Sequence, residues 1–305
     1  MNLLPRFSTS SASSGQPPVN RVDKILSHID PANQSGLEIG ALCRPIVAPE
    51  RGPVRYVDHM DTAGLRGKYA VDPNVDVDKI VDVSFVWGEH TLPEAVGDER
   101  FDYVVASHVI EHVPDTVGWL REIAAVLKPG GILSLAIPDK RFTFDARREN
   151  TTFAALIESH LLGRRHPGFR EVLDHFDSVV AVPGQVTAQT LWRDNPDPHH
   201  VPHAHPGIID RLGEDGLRHY FNLVNGGLYM DVHVHVFTPD SLMRILARLA
   251  CVGMLNFRVA HFFPTAQDDM EFFVSLERLP DGLSSEQRQE DILKSLPEGF
   301  GHAQV

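Results

Sequence analysis

Histidine is the residue type that chemistry would draw on first in this chain. Seventeen histidines occur in 305 residues, seven of them between His199 and His235. His108, Glu111 and His112 stand at i, i+3 and i+4, a spacing that on a helical turn presents imidazole and carboxylate together. Such a trio can ligate a metal, but a metal site normally needs a fourth converging ligand. The reading carried forward therefore assigns no metal: Glu111 and His112 satisfy nearby backbone groups, and His108 faces a substrate. His233 and His235 stand two apart in DVHVHVF (231–237), whose strict alternation predicts a strand with both rings on one face. An imidazole's ordinary pKa, roughly 6.5, suits a general base, so these two follow His108 as candidates. His199, His200, His203 and His205 lie in DNPDPHHVPHAHPG (194–207), where interleaved prolines predict a stiff surface loop. Asp139, Lys140 and Arg141 are read as substrate-recognition residues, with an ion-paired anchor as the competing role.

The elements that must position these residues follow from periodicity. Asn20 can cap a helix on Val22, Ile25, Leu26 and Ile29, ended by Pro31. GLEIGA (36–41), VRYVD (54–58), KIVDVSFVW (79–87), FDYVVAS (101–107) and ILSLAIP (132–138) read as strands. The fourth reads as a buried strand without alternation, as in a parallel sheet covered on both faces. Asp115 can cap a helix ended by Pro129-Gly130-Gly131. Thr238 and Pro239 start another helix, with Leu242, Ile245, Leu246 and Leu249 on one face. Strands alternating with helices imply an α/β fold with a doubly wound, mostly parallel sheet. LNFRVAHFF (255–263) and MEFFVSLERL (270–279) predict an antiparallel closing hairpin. Helical patterns at 152–162, 169–180 and 208–223 interrupt the alternation and read as a helical cap inserted after strand five. The expected organisation is a disordered leader over 1–19, a core over 20–140 and 231–280, the cap over 141–230, and a polar tail over 281–305.

In such a sheet ligands bind beyond the carboxyl ends of the strands. That rule selects Glu38-Ile39-Gly40-Ala41 after the first strand, Asp58 after the second, Ser107-His108 after the fourth and Asp139 after the fifth. Gly40 lets backbone approach a ligand closely, and a carboxylate at Asp58 can accept both hydroxyls of a ribose. G-x-G-x-x-G is missing, which argues against a nicotinamide oxidoreductase. A ligand with adenosine but no pyrophosphate fits better.

GLEIGA, RYVD and FDYVVASHVIEHVPDTVGWLREIAAVLKPGGILSLAIPDK resemble the glycine motif, ribose-binding acid and post-strand-four motifs of class I S-adenosylmethionine-dependent methyltransferases, in the type-11 methyltransferase group. HVHVFTPDSLMRIL resembles that group's penultimate strand and helix. The resemblance implies a Rossmann-like methyltransferase fold with S-adenosyl-L-methionine as cofactor. It also implies that Glu38, Gly40 and Ala41 contact the cofactor's methionine part, that Asp58 contacts its ribose, and that Ser107 and His108 lie under the sulfonium. Leu42 and Arg44 replace the motif's second and third glycines, which makes Arg44 a candidate for the cofactor carboxylate. Trp87 is a candidate to stack on the adenine, with Glu89 as a polar alternative.

The implied reaction is transfer of a methyl group to a small polar or sugar-like acceptor, favouring O-methylation with a histidine base. Other uses of the same cofactor, by carbon-chain transfer or by cyclisation releasing methylthioadenosine, stand as alternatives, as does a non-catalytic binding protein on this fold. The 41 acidic residues outnumber the 28 basic, a net charge of −13, which disfavours a phosphate-tracking surface and hence nucleic acid. No run approaches the roughly 18 apolar residues of a membrane span. Cys43 and Cys251 cannot build a disulfide framework and suggest a reducing compartment. The expectation is a cytoplasmic enzyme with a small-molecule substrate and no membrane partner, with homo-oligomerisation left open.

Overall fold

The computed structural model describes residues 19–300. The leader expected over 1–19 therefore lies outside the described residues except for Val19, as do the last five residues of the tail. Among the described residues, seven strands form one sheet: β1 (Gly36–Ile39), β2 (Val54–Asp58), β3 (Phe85–Val86), β4 (Phe101–Ser107), β5 (Leu127–Pro138), β6 (Phe257–Phe263) and β7 (Glu271–Arg278). Their order is β3-β2-β1-β4-β5-β7-β6. The first five are parallel, and β7 runs antiparallel to both β5 and β6. The helices are α1 (Arg21–Ile25), α2 (Thr62–Lys68), α3 (Leu92–Val96), α4 (Thr116–Val126), α5 (Phe153–Leu161), α6 (Phe169–Ser178), α7 (Ala188–Asp194), α8 (Ile208–Asn225), α9 (Pro239–Cys251) and α10 (Ser285–Ser295). This is the expected α/β, mostly parallel sheet with its closing hairpin.

Side-chain alternation assigns the two faces of the sheet to two cores. Val104 and Ala106 of β4, Leu133, Leu135 and Ile137 of β5, and Phe272, Val274 and Leu276 of β7 join the larger core under α4 and α9. Tyr103, Val105, Ile132, Ala136 and Phe273 face the other way, against Ile25 of α1 and Val47. Burial on both faces is why β4 and β5 read as continuous apolar runs. β1 opens on glycine because a Cβ on Gly36 would lie 2.0 Å from Tyr103 Cζ.

Local start signals work as the sequence implies. Asp115 accepts from Gly118 N (2.7 Å) to begin α4, and Thr238 and Ser241 form a capping box on α9 with Pro239 in its first turn. Three expected elements differ. The third strand shrinks to Phe85–Val86 because Leu42 O and Thr62 Oγ1 take the amides of Val81 and Val83 that would otherwise join a ladder. β5 starts at Leu127 rather than 132, with residues 128–131 bulging between the Phe101–Leu127 and Tyr103–Ile132 pairs. The alternating segment 231–237 is not a strand. Both edges of β5 are already taken by β4 and β7, so this segment crosses the carboxyl end of the sheet. There its amides reach Glu111 O and Thr151 Oγ1, and a single bridge joins Phe237 to Asp139.

Leu156 of α5 joins the larger core. The rest of the inserted region has small cores of its own, one around Phe142, Val180, Leu191 and Val201 and one around Val172, Val224 and Val232. Polar α10 packs Ile292 into the larger core, and Leu296, just beyond its end, joins it there.

Candidate active site

The turns after β1, β2, β3 and β4 lie side by side along the carboxyl edge. Gly40 adopts a left-handed backbone (φ 69°), and its amide donates to Val57 O (3.0 Å), tying the first turn to β2. Asp58 ends β2. Its Oδ1 accepts from the His59 amide (2.7 Å) and faces His59 Nδ1 (2.5 Å), which leaves Oδ2 to accept from a ligand. Trp87 follows β3, half-buried against the larger core, with its Nε1 buried on the side of the Glu122 carboxyl. A glycine cradle, a carboxylate with a free oxygen and a half-buried indole ring fit an adenosine-bearing cofactor laid across these turns. Arg44 is exposed, and its guanidinium makes a long contact to Asn74 O (3.4 Å). Ala41 is half-buried beside it.

Glu38 has a different task in this geometry. It is 2% exposed, and its two oxygens accept from the amides of Ile46 (2.7 Å) and Val47 (2.9 Å), closing the loop that follows Gly40. Burial outweighs those hydrogen bonds and raises its carboxyl to about pKa 7.

His108 follows β4 with a left-handed backbone (φ 55°), a conformation that non-glycine residues rarely adopt. Its amide donates to Ala136 O (2.9 Å), and its Nε2 lies 2.8 Å from Glu271 Oε2 at the start of β7. Arg21 of α1 completes this group: Nε donates to Glu271 Oε1 (2.6 Å) and Nη2 donates to Glu271 Oε2 (3.0 Å) and to Ser107 Oγ (2.7 Å). Burial works to lower the His108 pKa, but the Glu271 hydrogen bond and the charges of Glu111 and Glu271 win, so the net direction is up. Burial likewise opposes ionisation of Glu271, yet His108 and Arg21 hold its carboxyl down at about 2. Neither Glu271 nor Arg21 was a candidate from sequence. Glu271 carries a signal in hindsight, because an acid heading an antiparallel strand beside β5 must fall at the carboxyl edge. Arg21 carries none.

The remaining candidates separate. His233 is 7% exposed and its Nδ1 lies 2.5 Å from Asp145 Oδ2. Its ring meets His112 edge-on, with centroids 4.7 Å apart. His235 is fully enclosed, its Nε2 is 3.1 Å from Pro114 O, and desolvation lowers its pKa to about 4. The two rings thus serve different surroundings, since no strand pairing puts them on one face. Asp139 is 0% exposed and ties Arg141 N, Nε and Nη2 to Thr265 Oγ1 (2.7 Å). Lys140 Nζ reaches Ala146 O (3.3 Å). His199, His200 and His205 are exposed, and His203 is pinned to Asp177 O (3.0 Å). Glu111 corrects the sequence reading: it is its main-chain carbonyl that holds Val234 N (2.8 Å) and His235 N (3.0 Å), while both side-chain oxygens are buried with no hydrogen bond among the described residues.

A family model described as a methyltransferase domain matches residues 26–250. A ubiquinone biosynthesis O-methyltransferase from Bradyrhizobium sp. (strain ORS 278) is 51% identical over 43 residues, 14% of this chain and 17% of that protein. One of the same description from Rhodopseudomonas palustris (strain BisB18) is 53% identical over 38 residues, 12% of this chain and 15% of that protein. The matched stretch thus spans about a sixth of those curated relatives. An S-adenosylmethionine-dependent methyltransferase structure from Mesorhizobium loti is similar at 14% identity and a TM-score of 0.41, covering 84% of this chain and 95% of that one. No helix among the described residues is long and apolar enough to cross a membrane. With the family match running over most of the chain, from just after α1 to the last turn of α9, the chain belongs to the methyltransferase domain family.

Proposed function

We propose that this chain methylates a hydroxyl of a small polar acceptor, with His108 as the general base and S-adenosylmethionine as the methyl donor. The observation that carries this reading is the His108–Glu271 pair at the carboxyl end of β4. When bound, the cofactor supplies a methyl group on a sulfonium, a good leaving group. The chain's own tasks are to hold the acceptor in line and to remove its proton. The turn at Gly40, Asp58 Oδ2 and Trp87 would hold the cofactor, with Ala41 and Arg44 beside its methionine end. The His108 tautomer that donates Nε2–H to Glu271 keeps Nδ1 as a proton acceptor, and Glu271 stabilises the imidazolium that forms. Arg21 fixes Ser107 and Glu271 together, so the base keeps one orientation. The small cores of the 141–230 region support its reading as a cap that encloses an acceptor, and the net acidity supports an acceptor other than nucleic acid. The two free cysteines fit a cytoplasmic setting.

The test is incubation with S-adenosylmethionine and a panel of polar hydroxylated acceptors, following adenosylhomocysteine and methylthioadenosine. Acceptor-dependent adenosylhomocysteine, lost in His108→Gln while the variant is still stabilised by adenosylhomocysteine, supports the reading. Accumulation of methylthioadenosine, or stabilisation by NAD alone, would overturn it.

A further inference from the structure

We propose that Glu111, His112 and His233 form a binding site for one first-row divalent transition-metal ion, with Asp145 as the outer carboxylate that orients His233. Glu111 is 0% exposed, and neither of its side-chain oxygens has a hydrogen-bond partner among the described residues. A buried carboxyl group without a hydrogen bond is costly in a protein interior, and the groups facing this one are imidazoles able to share a cation with it. No lysine or arginine of the described residues pairs with it. Imidazole nitrogens face it at ion-pair distance, His108 Nδ1 at 3.6 Å and His233 Nε2 at 4.0 Å from Oε1. Those distances are too long for hydrogen bonds but close to the separation of ligands around a shared ion, about 3.3 Å for a tetrahedral site. One ligand atom from each of Glu111, His112 and His233 lies within 4.8 Å of the others, so a small contraction would close the set.

The histidine geometry supports the same conclusion. His233 Nδ1 is engaged by Asp145 Oδ2 at 2.5 Å, and Asp145 is fixed by Arg148 Nη1 at 3.0 Å, which leaves Nε2 as the nitrogen toward Glu111. A metal-binding histidine characteristically gives its other nitrogen to a carboxylate in this way, which sets tautomer and ring orientation. The two ligand-bearing segments are stapled by backbone, Val234 N and His235 N both donating to Glu111 O, and Arg148 Nη1 donates to His233 O (2.8 Å). Two imidazole nitrogens and one carboxylate oxygen suit zinc, iron(II) or cobalt(II) rather than calcium or magnesium, which prefer all-oxygen sites. Three protein ligands leave a coordination position open. On the methyl-transfer reading, on which this role rests, an acceptor hydroxyl entering that position beside His108 would be acidified by the ion.

The experiment uses the full chain, stripped with chelator. Cobalt(II) is titrated by visible absorption and zinc by thermal shift, with magnesium as the control and adenosylhomocysteine as a separate thermal-shift arm. One equivalent of cobalt is expected, with affinity falling about 100-fold in Glu111→Gln and His233→Ala and about 10- to 100-fold in Asp145→Asn. Glu111→Gln keeps the size and shape of the side chain, so its metal-free form is expected to fold, and its melt beside that of wild type keeps the comparison readable. Replacing His199, His200, His203 and His205 by Gln should leave binding unchanged. Metal binding that survives Glu111→Gln and His233→Ala but is lost in the loop variant would overturn the site. So would a wild-type chain that responds to adenosylhomocysteine but to neither metal, an outcome that leaves the methyl-transfer reading intact. Metal binding without any adenosylhomocysteine response would uphold the site and remove that reading instead.

Discussion

Glu271 and His108 are 163 residues apart in sequence, yet Oε2 of one lies 2.8 Å from Nε2 of the other at the carboxyl edge of the sheet. The contact exists because β7 runs antiparallel to β5, with Glu271 opposite Pro138 in register, while β4 runs parallel to β5 on its other side. The start of one strand therefore meets the end of another. Replacing Glu271 with Gln removes the charge that stabilises an imidazolium on His108. We expect kcat to fall about 10²-fold, within the range general-base catalysis supplies, with little change in the KM of the acceptor. Steady-state kinetics check this, and a loss confined to KM would refute it.

Asp58 has one oxygen committed to His59 and one free. Asp58→Ala should weaken binding of adenosylhomocysteine by about 10- to 100-fold, the worth of hydrogen bonds to a charged acceptor. Calorimetric titration measures it. Unchanged affinity would remove Asp58 from the cofactor site.

Asp139 gathers Arg141 and Thr265 in a fully buried position. Asp139→Asn should cost about 2–3 kcal/mol and lower Tm by about 5 °C or more, with acceptor KM little changed. A KM effect without a stability loss would restore Asp139 to substrate recognition.

Glu38 makes a prediction in pH. Its folded-state pKa, about 7, lies above the ordinary 4.5, so the folded state holds the proton longer than the unfolded chain does. Its contribution favours folding below pH 4.5 and is lost as pH rises from 4.5 through 7. The stability of wild type relative to Glu38→Gln should decline over that window in paired thermal melts. A difference that grows with pH would contradict the assignment.

Much of the fold was legible in the chain itself. The apolar runs of β1, β4 and β5, the Asp115 and Thr238 caps and the hairpin over 255–279 are local patterns, and each fixes its element without help from distant residues. Gly40, Asp58 and His108 could be placed for the same reason: each immediately follows a strand whose direction the alternation of strands and helices had already set.

Tertiary structure decided the rest. DVHVHVF carries a strand pattern, but a strand needs a free edge, and β5 has none. The segment crosses the end of the sheet instead and brings His233 to Glu111 and Asp145. The acid that sets the state of His108 comes from the start of β7, and the arginine that locks both comes from α1. The i, i+3, i+4 spacing of His108, Glu111 and His112 is local. The burial that leaves the Glu111 side chain without a hydrogen bond depends on chain more than a hundred residues away, and no local pattern records it.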